Sequence, residues 1–127
     1  MTGLPITAAL ALFLSAAAAI ASPLDGRWAY DPQACDVAVN SGDVGPGVFA
    51  GDKMTYFESE CTITKIAPIG ERDPASVWRV ETACSGEGEN WTKDSVFAID
   101  RDAEGAARQL VEIEMNEGYV VVLQACK

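Results

Sequence analysis

Apolar and polar residues along this chain follow the spacing of β-strands rather than that of helices. The stretch from 61 to 66, CTITKI, is rich in β-branched residues. The stretch from 76 to 84 also contains β-branched residues, namely Val77, Val80 and Thr82. Glycine, proline and acidic residues separate such runs, and no segment beyond residue 21 sustains an apolar period of 3.6 residues. The pattern predicts an all-β fold, an antiparallel meander of about seven strands that forms a small barrel or sandwich.

Two segments test this all-β prediction. Residues 104–114 have the composition of a short helix, but Gly105 near their start and the β-rich segment that follows favour a strand. The run from Tyr119 to Leu123 is apolar throughout, which is typical of a strand enclosed on both faces.

The first 21 residues have a different character from the rest of the chain. No charged side chain occurs between Leu4 and Ala21, and Ala19 and Ala21 supply the small residues that a signal peptidase recognises. We therefore expect residues 1–21 to be a secretory signal peptide and residues 22–127 to be a single periplasmic or secreted domain, free of the membrane after cleavage. The alternative is an uncleaved anchor, because a stretch of about 18 apolar residues approaches the usual length of about 20 residues that spans a bilayer.

Four cysteines lie in the predicted mature domain, and the chain has no histidine. An even number of cysteines in a small exported domain predicts two disulfides, and the absence of a Cys-x-x-Cys pair argues against a metal site. If residues 59–67 and 76–84 form a hairpin, two of the cysteines face each other, which favours Cys61–Cys84 together with Cys35–Cys126. The pairing 35–61 with 84–126 remains open.

The net charge of −10 narrows the range of partners. Such an acidic surface repels phosphate backbones, so nucleic acid is excluded as a partner. We expect a monomer without a cofactor.

The absence of histidine removes the usual general base and the commonest metal ligand. Paired carboxylates remain as candidate acid–base groups. Glu58 with Glu60, and Glu112 with Glu114, are each expected to share a strand face, although a solvated face also explains such pairs. The four carboxylates that a hydrolase would use are Glu58, Glu60, Glu87 and Glu89. The stretch from Asp100 to Gly105 imitates the start of a calcium-binding loop, but Val111 occupies the position that needs a bidentate glutamate. A β-turn is the simpler expectation, and no metal site is predicted.

The segment Leu24-Asp25-Gly26-Arg27-Trp28 resembles the Gly-x-Trp opening of the calycin group, which includes lipocalins, avidins and small periplasmic inhibitors of bacterial metalloproteases. This resemblance implies a barrel with Trp28 packed across its floor. The overall layout, with a Trp and then a Cys at the start, a central Glu-x-x-Cys and a Cys at the end, also resembles small uncharacterised periplasmic proteins of proteobacteria, a likeness that implies no known activity.

These observations favour an exported non-enzymatic module, binding or structural, whose partner is an unknown protein or small ligand. The alternatives are a calycin-like inhibitor of a secreted hydrolase and a small carboxylate-dependent hydrolase. Three tryptophans are candidate contact residues, with core packing as the competing interpretation: Trp28, Trp78 and Trp91. An open cup lined by Trp and Tyr would favour ligand binding.

Overall fold

The computed structural model describes Gly3 and residues 21–39 and 45–127, and these residues form an all-β domain. The predicted signal peptide therefore lies almost entirely outside the described residues. Within the described part of the chain, no helix has the length and apolarity needed to cross a membrane. A 3-10 helix covers Pro32–Asp36, and the eight strands are β1 Gly26–Ala29, β2 Gly47–Ala50, β3 Lys53–Tyr56, β4 Ser59–Pro68, β5 Val77–Gly86, β6 Glu89–Arg101, β7 Ala107–Glu114 and β8 Val120–Ala125.

Each strand pairs antiparallel with the next, and β8 returns to β1 to close a barrel. The all-β prediction is thus confirmed, with eight strands rather than about seven, because both short strands beside Gly51-Asp52 join the wall. Segment 104–114 contains β7 and no helix, since Gly105 takes a positive φ of 85° in the turn that precedes the strand.

Alternation of side chains along the long strands builds the barrel core. On β5, Trp78, Val80, Thr82 and Cys84 are buried, and the intervening residues are exposed. The end of the barrel where β1 begins is filled by Leu24, which is fully buried and whose carbonyl oxygen accepts a hydrogen bond of 3.0 Å from Trp28 Nε1. The interior is consequently packed at this end.

Both disulfides have the favoured pairing. Cys61 and Cys84 are direct partners across β4 and β5, with their Cα atoms 4.0 Å apart, as the hairpin prediction required. The second disulfide joins Cys35 of the 3-10 helix to Cys126 after β8. Arg27 donates to the carbonyl oxygens of Cys35 and Val37, at 3.1 and 2.8 Å, and so holds this segment against β1. Two disulfides in so small a domain indicate an oxidising compartment.

The expectation that the apolar run around β8 is enclosed on both faces is wrong. Val120 and Val122 are 61% and 42% exposed, whereas Val121 and Leu123 face the interior. A closed barrel has one inner face, and in the described part of the chain nothing covers the outer face of β8. The apolar outward residues therefore remain in contact with water.

Candidate functional site

The barrel is open at the end opposite Leu24, where a cavity of about 500 Å³ enters the interior. We call this cavity the cup. Its floor is formed by Trp28 and Leu123, both buried in the core. Six aromatic side chains line it, namely Trp28, Tyr30, Tyr56, Phe57, Trp91 and Tyr119. A volume of this size lies within the range of small-ligand sites, roughly 300–1,000 Å³.

The cup exists because small residues occupy inward positions near the open end. Gly47 on β2 has no side chain there, and an added Cβ would approach the rings of Phe49 and Tyr56 to 3.2 and 3.3 Å. Ser59 at the start of β4 is likewise small and lines the cup. The missing side chain of Gly47 lets the Tyr56 and Phe49 rings lie close to its backbone, where they pack edge-to-face with their centroids 5.6 Å apart.

A polar network crosses the wall of the cup between β6 and β7. Glu112 Oε2 accepts a hydrogen bond of 2.7 Å from Ser95 Oγ and lies 2.9 Å from Lys93 Nζ. The Lys93 and Glu112 side chains are only 15% and 7% exposed. Lys93 Nζ also lies 6.0 Å from the centroid of the Tyr56 ring, within the range of a cation–π contact. The network places one matched ion pair inside the barrel.

Burial and charge shift the titration of this network. Burial alone would lower the pKa of Lys93, but the attraction of Glu112 and its hydrogen bond outweigh that effect, so the pKa is raised above 10.5. Burial, followed by repulsion from Glu112, raises the pKa of the Tyr56 hydroxyl well above 10.0. Burial also raises the pKa of Tyr119, against the attraction of Lys93. At neutral pH, Lys93 is charged and both phenols are protonated.

These shifts predict a loss of stability in alkali. For Tyr56 and Lys93 the pKa in the folded state exceeds that in the unfolded state, so their contribution is complete below about pH 10 and declines as the pH rises towards the folded-state values. We expect the urea midpoint to fall progressively as the pH rises above about 10. In Tyr56→Phe this fall should be smaller, because the variant lacks the phenol whose pKa is raised most clearly by burial. An unchanged pH dependence in that variant would contradict the contribution of Tyr56 to the alkaline loss of stability.

Glu112 and Glu114 do share a strand face, as the sequence predicted, but this face is the barrel interior and not a solvated surface. They are 6% and 2% exposed. The correction follows from the register, because the alternation that buries Leu110 on β7 also places both glutamates inside. Glu114 accepts hydrogen bonds from the backbone amides of Asn116 and Glu117, so it holds the turn between β7 and β8.

Four carboxylates line a depression beside the mouth of the cup. We call them the acidic rim: Glu58, Glu87, Glu89 and Glu117. The depression shares Phe57, Ser59 and Trp91 with the cup, so the two spaces are neighbours. A side-chain hydrogen bond to Glu87, aided by desolvation and repulsion, raises the pKa of Glu58.

The proposed pairing of Glu58 with Glu60 on one strand face is wrong. Glu58 has a positive φ of 52° in the turn before β4, whereas Glu60 lies on β4 with its carboxylate 3.6 Å from Lys53. Of the four carboxylates suggested for a hydrolase, three therefore belong to the rim and Glu60 does not.

The three tryptophans have separate environments. Trp28 is 2% exposed and forms the floor of the cup, and Trp78 is 6% exposed in the core, away from the cup. Trp91 is 40% exposed and lies at the mouth, between cup and rim. Trp91 is therefore the tryptophan with the most surface available to a ligand.

The calcium-like stretch forms a turn that uses its own carboxylates. Asp102 accepts hydrogen bonds from the backbone amides of Glu104 and Ala106, and Asp100 forms an ion pair of 2.6 Å with Arg108. Among the residues that the structure describes, no group of three or more acidic or cysteine side chains is arranged to hold a metal ion.

No family model, curated protein or solved structure matches this chain. Its chemistry must therefore be inferred from the site. The cup offers aromatic contact area, one internal ion pair and a negatively charged mouth, which are features suited to holding a small molecule.

Proposed function

We propose that this protein is an exported, non-enzymatic binding module that holds a small ligand in the cup. The aromatic cavity of about 500 Å³ carries this proposal. A barrel whose only task was structural would gain stability by filling this space, since unfilled apolar volume forfeits packing contacts. Gly47 and Ser59 keep the space open instead.

A periplasmic or secreted location is part of the proposal. It is supported by the two disulfides and by the apolar leader in the sequence.

A calycin-like architecture also belongs to the proposal. It is supported by the closed antiparallel meander, by Gly26-Arg27-Trp28 on the first strand and by Trp28 at the floor of the cup. In such barrels the open end is the natural entrance for a ligand.

Binding is favoured over hydrolysis by the state of the carboxylates. Glu112 forms an ion pair with Lys93 and accepts a hydrogen bond from Ser95. Glu114 accepts hydrogen bonds from two backbone amides. The rim carboxylates are exposed, three of them on turns and Glu89 at the start of β6, whereas a general acid usually depends on burial to hold its proton near neutral pH.

The proposal is tested with the oxidised protein and a neutral fluorescent probe, N-phenylnaphthylamine. We expect saturable binding that Ser59→Phe weakens at least about tenfold, a change of ~1.4 kcal/mol, because the new ring occupies the cup. Ser85→Phe is the matched control, since Ser85 is exposed on the outer face of β5.

Val121→Trp, which fills the cup from β8, gives a second test if Ser59→Phe fails to fold. Absence of saturable binding, or equal affinity in the filled and control variants, would refute the proposal. Circular dichroism of each variant verifies that the barrel is intact.

A further inference from the structure

We infer that the ligand of the cup is a cationic amine with an apolar body; this inference rests on the proposed function. The first observation is the charge around the entry path. Among the described residues that line the cup and the adjoining depression, Lys93 is the one base, and the acids are Glu112 and the four residues of the acidic rim. Because Lys93 is already matched by Glu112, the four rim carboxylates have no compensating charge along this path.

The second observation is an available acceptor inside the cup. Glu112 Oε2 accepts a hydrogen bond from Ser95 Oγ and forms the ion pair with Lys93 Nζ. The other carboxylate oxygen, Oε1, has no hydrogen-bond partner among the described residues. The side chain is 7% exposed and lines the cup, so the exposed part of the carboxylate faces the cavity. A ligand that displaces water from this oxygen loses free energy unless it supplies a donor, because a carboxylate accepts and cannot donate. An ammonium group supplies that donor.

The third observation is the aromatic wall. The faces of tyrosine and tryptophan rings attract cations, and six aromatic residues line the cup, of which Trp28 forms part of the floor. Trp91 and Phe57 border both the depression of the acidic rim and the cup, so aromatic surface lies directly beside the rim carboxylates. The apolar body of the ligand would pack on these rings while its amine reaches Glu112.

An anionic ligand meets the opposite conditions. It would be repelled by the four rim carboxylates. The one ammonium group in the cup, that of Lys93, is already paired with Glu112. The electrostatics therefore favour a cation over a neutral analogue, and a neutral analogue over an anion.

The experiment compares three probes that share one apolar body: naphthylethylamine, naphthylethanol and naphthylpropionate. Their affinities for the oxidised protein are measured by calorimetry at low ionic strength. We expect the amine to bind at least about tenfold more tightly than the alcohol, equivalent to ~1.4 kcal/mol, and the carboxylate to bind most weakly.

A variant with glutamine at all four rim positions should reduce the preference for the amine severalfold and leave the affinity for the alcohol unchanged. The matched control removes the same number of charges from exposed positions away from the mouth, as Asp52→Asn, Glu71→Gln, Glu81→Gln and Glu104→Gln. This control should keep the preference. If the rim variant does not fold, the unaltered protein is titrated at high salt instead. Salt screens the rim carboxylates, so it should weaken binding of the amine and leave binding of the alcohol unchanged.

The outcomes separate the two proposals. Binding of the alcohol with equal or tighter binding of the carboxylate would overturn the inference and leave ligand binding intact. A preference for the amine that persists both in the rim variant and at high salt would also overturn it. Failure of all three probes to bind would count against the proposed function itself.

Discussion

Replacing Cys35 and Cys126 together by serine is expected to lower the free energy of unfolding by about 4–5 kcal/mol. The disulfide joins residues separated by 91 positions, so its loss frees a long loop in the unfolded chain. The barrel also depends on it locally, because β1 and β8 meet through two residue pairs, Trp28 with Ala125 and Ala29 with Gln124. Because the free energy of unfolding of a small domain is about 5–15 kcal/mol, this loss would remove a large part of it.

Denaturant unfolding measures this loss, and amide hydrogen exchange locates it. Exchange should accelerate first at the β1–β8 junction, where the amide of residue 126 donates to the Arg27 carbonyl oxygen at 2.8 Å. The comparison variant replaces Cys61 and Cys84 by alanine, which should accelerate exchange between β4 and β5 instead. A loss below about 1 kcal/mol in the Cys35/Cys126 variant would show that non-covalent contacts close the barrel.

The second large effect is expected from the ion pair inside the cup. Lys93→Met removes the ammonium and leaves the Glu112 carboxylate largely buried, with Ser95 as its donor. Breaking one side of such a pair costs about 3–5 kcal/mol. We expect the lower end of that range, because the cup admits water. The double variant Lys93→Met/Glu112→Leu should recover most of the loss, since it leaves no uncompensated charge in the barrel.

The chain offers a matched control in Lys53→Met. Lys53 also pairs with a glutamate, Glu60 at 3.6 Å, but both side chains are about half exposed. This variant should change stability by at most ~0.5 kcal/mol, because exposed pairs contribute little. If the Lys53 and Lys93 variants lost equal stability, burial of the inner pair would have no energetic role.

Local signals in the sequence were sufficient for the fold class and for the disulfides. The β-branched runs on both sides of residues 71–74 predicted a hairpin, and that hairpin set Cys61 opposite Cys84. With one pair fixed, the other followed. Such short-range features depend on neighbouring residues, which a single sequence contains.

Closure of the barrel and the inner ion pair could not be predicted in the same way. The pairing of Trp28 with Ala125 joins the two ends of the domain, and no local pattern encodes it. The sequence favoured a solvated strand face for Glu112 and did not single out Lys93, because charged side chains are seldom buried. One signal was present: Lys93 keeps the same alternation as Phe97 and Ile99 on β6, which predicts an inward position for all three.

The apolar outer face of β8 was missed for a related reason. A run such as 119–123 is buried on both faces only when a second layer covers the sheet. In a single-walled barrel the outward residues of that run, Val120 and Val122, stay exposed however apolar they are.

The disulfide between Cys35 and Cys126 turns most of the domain into a covalent ring, with a second cross-link inside it. A protease that cuts once anywhere between these two residues, for example at the exposed Glu87-Gly88 turn, opens the backbone without releasing a fragment. The nicked protein would still migrate as one molecule on a gel without reductant and would separate into pieces once reduced. Among secreted proteases, such a barrel tolerates damage that would divide an uncrosslinked chain.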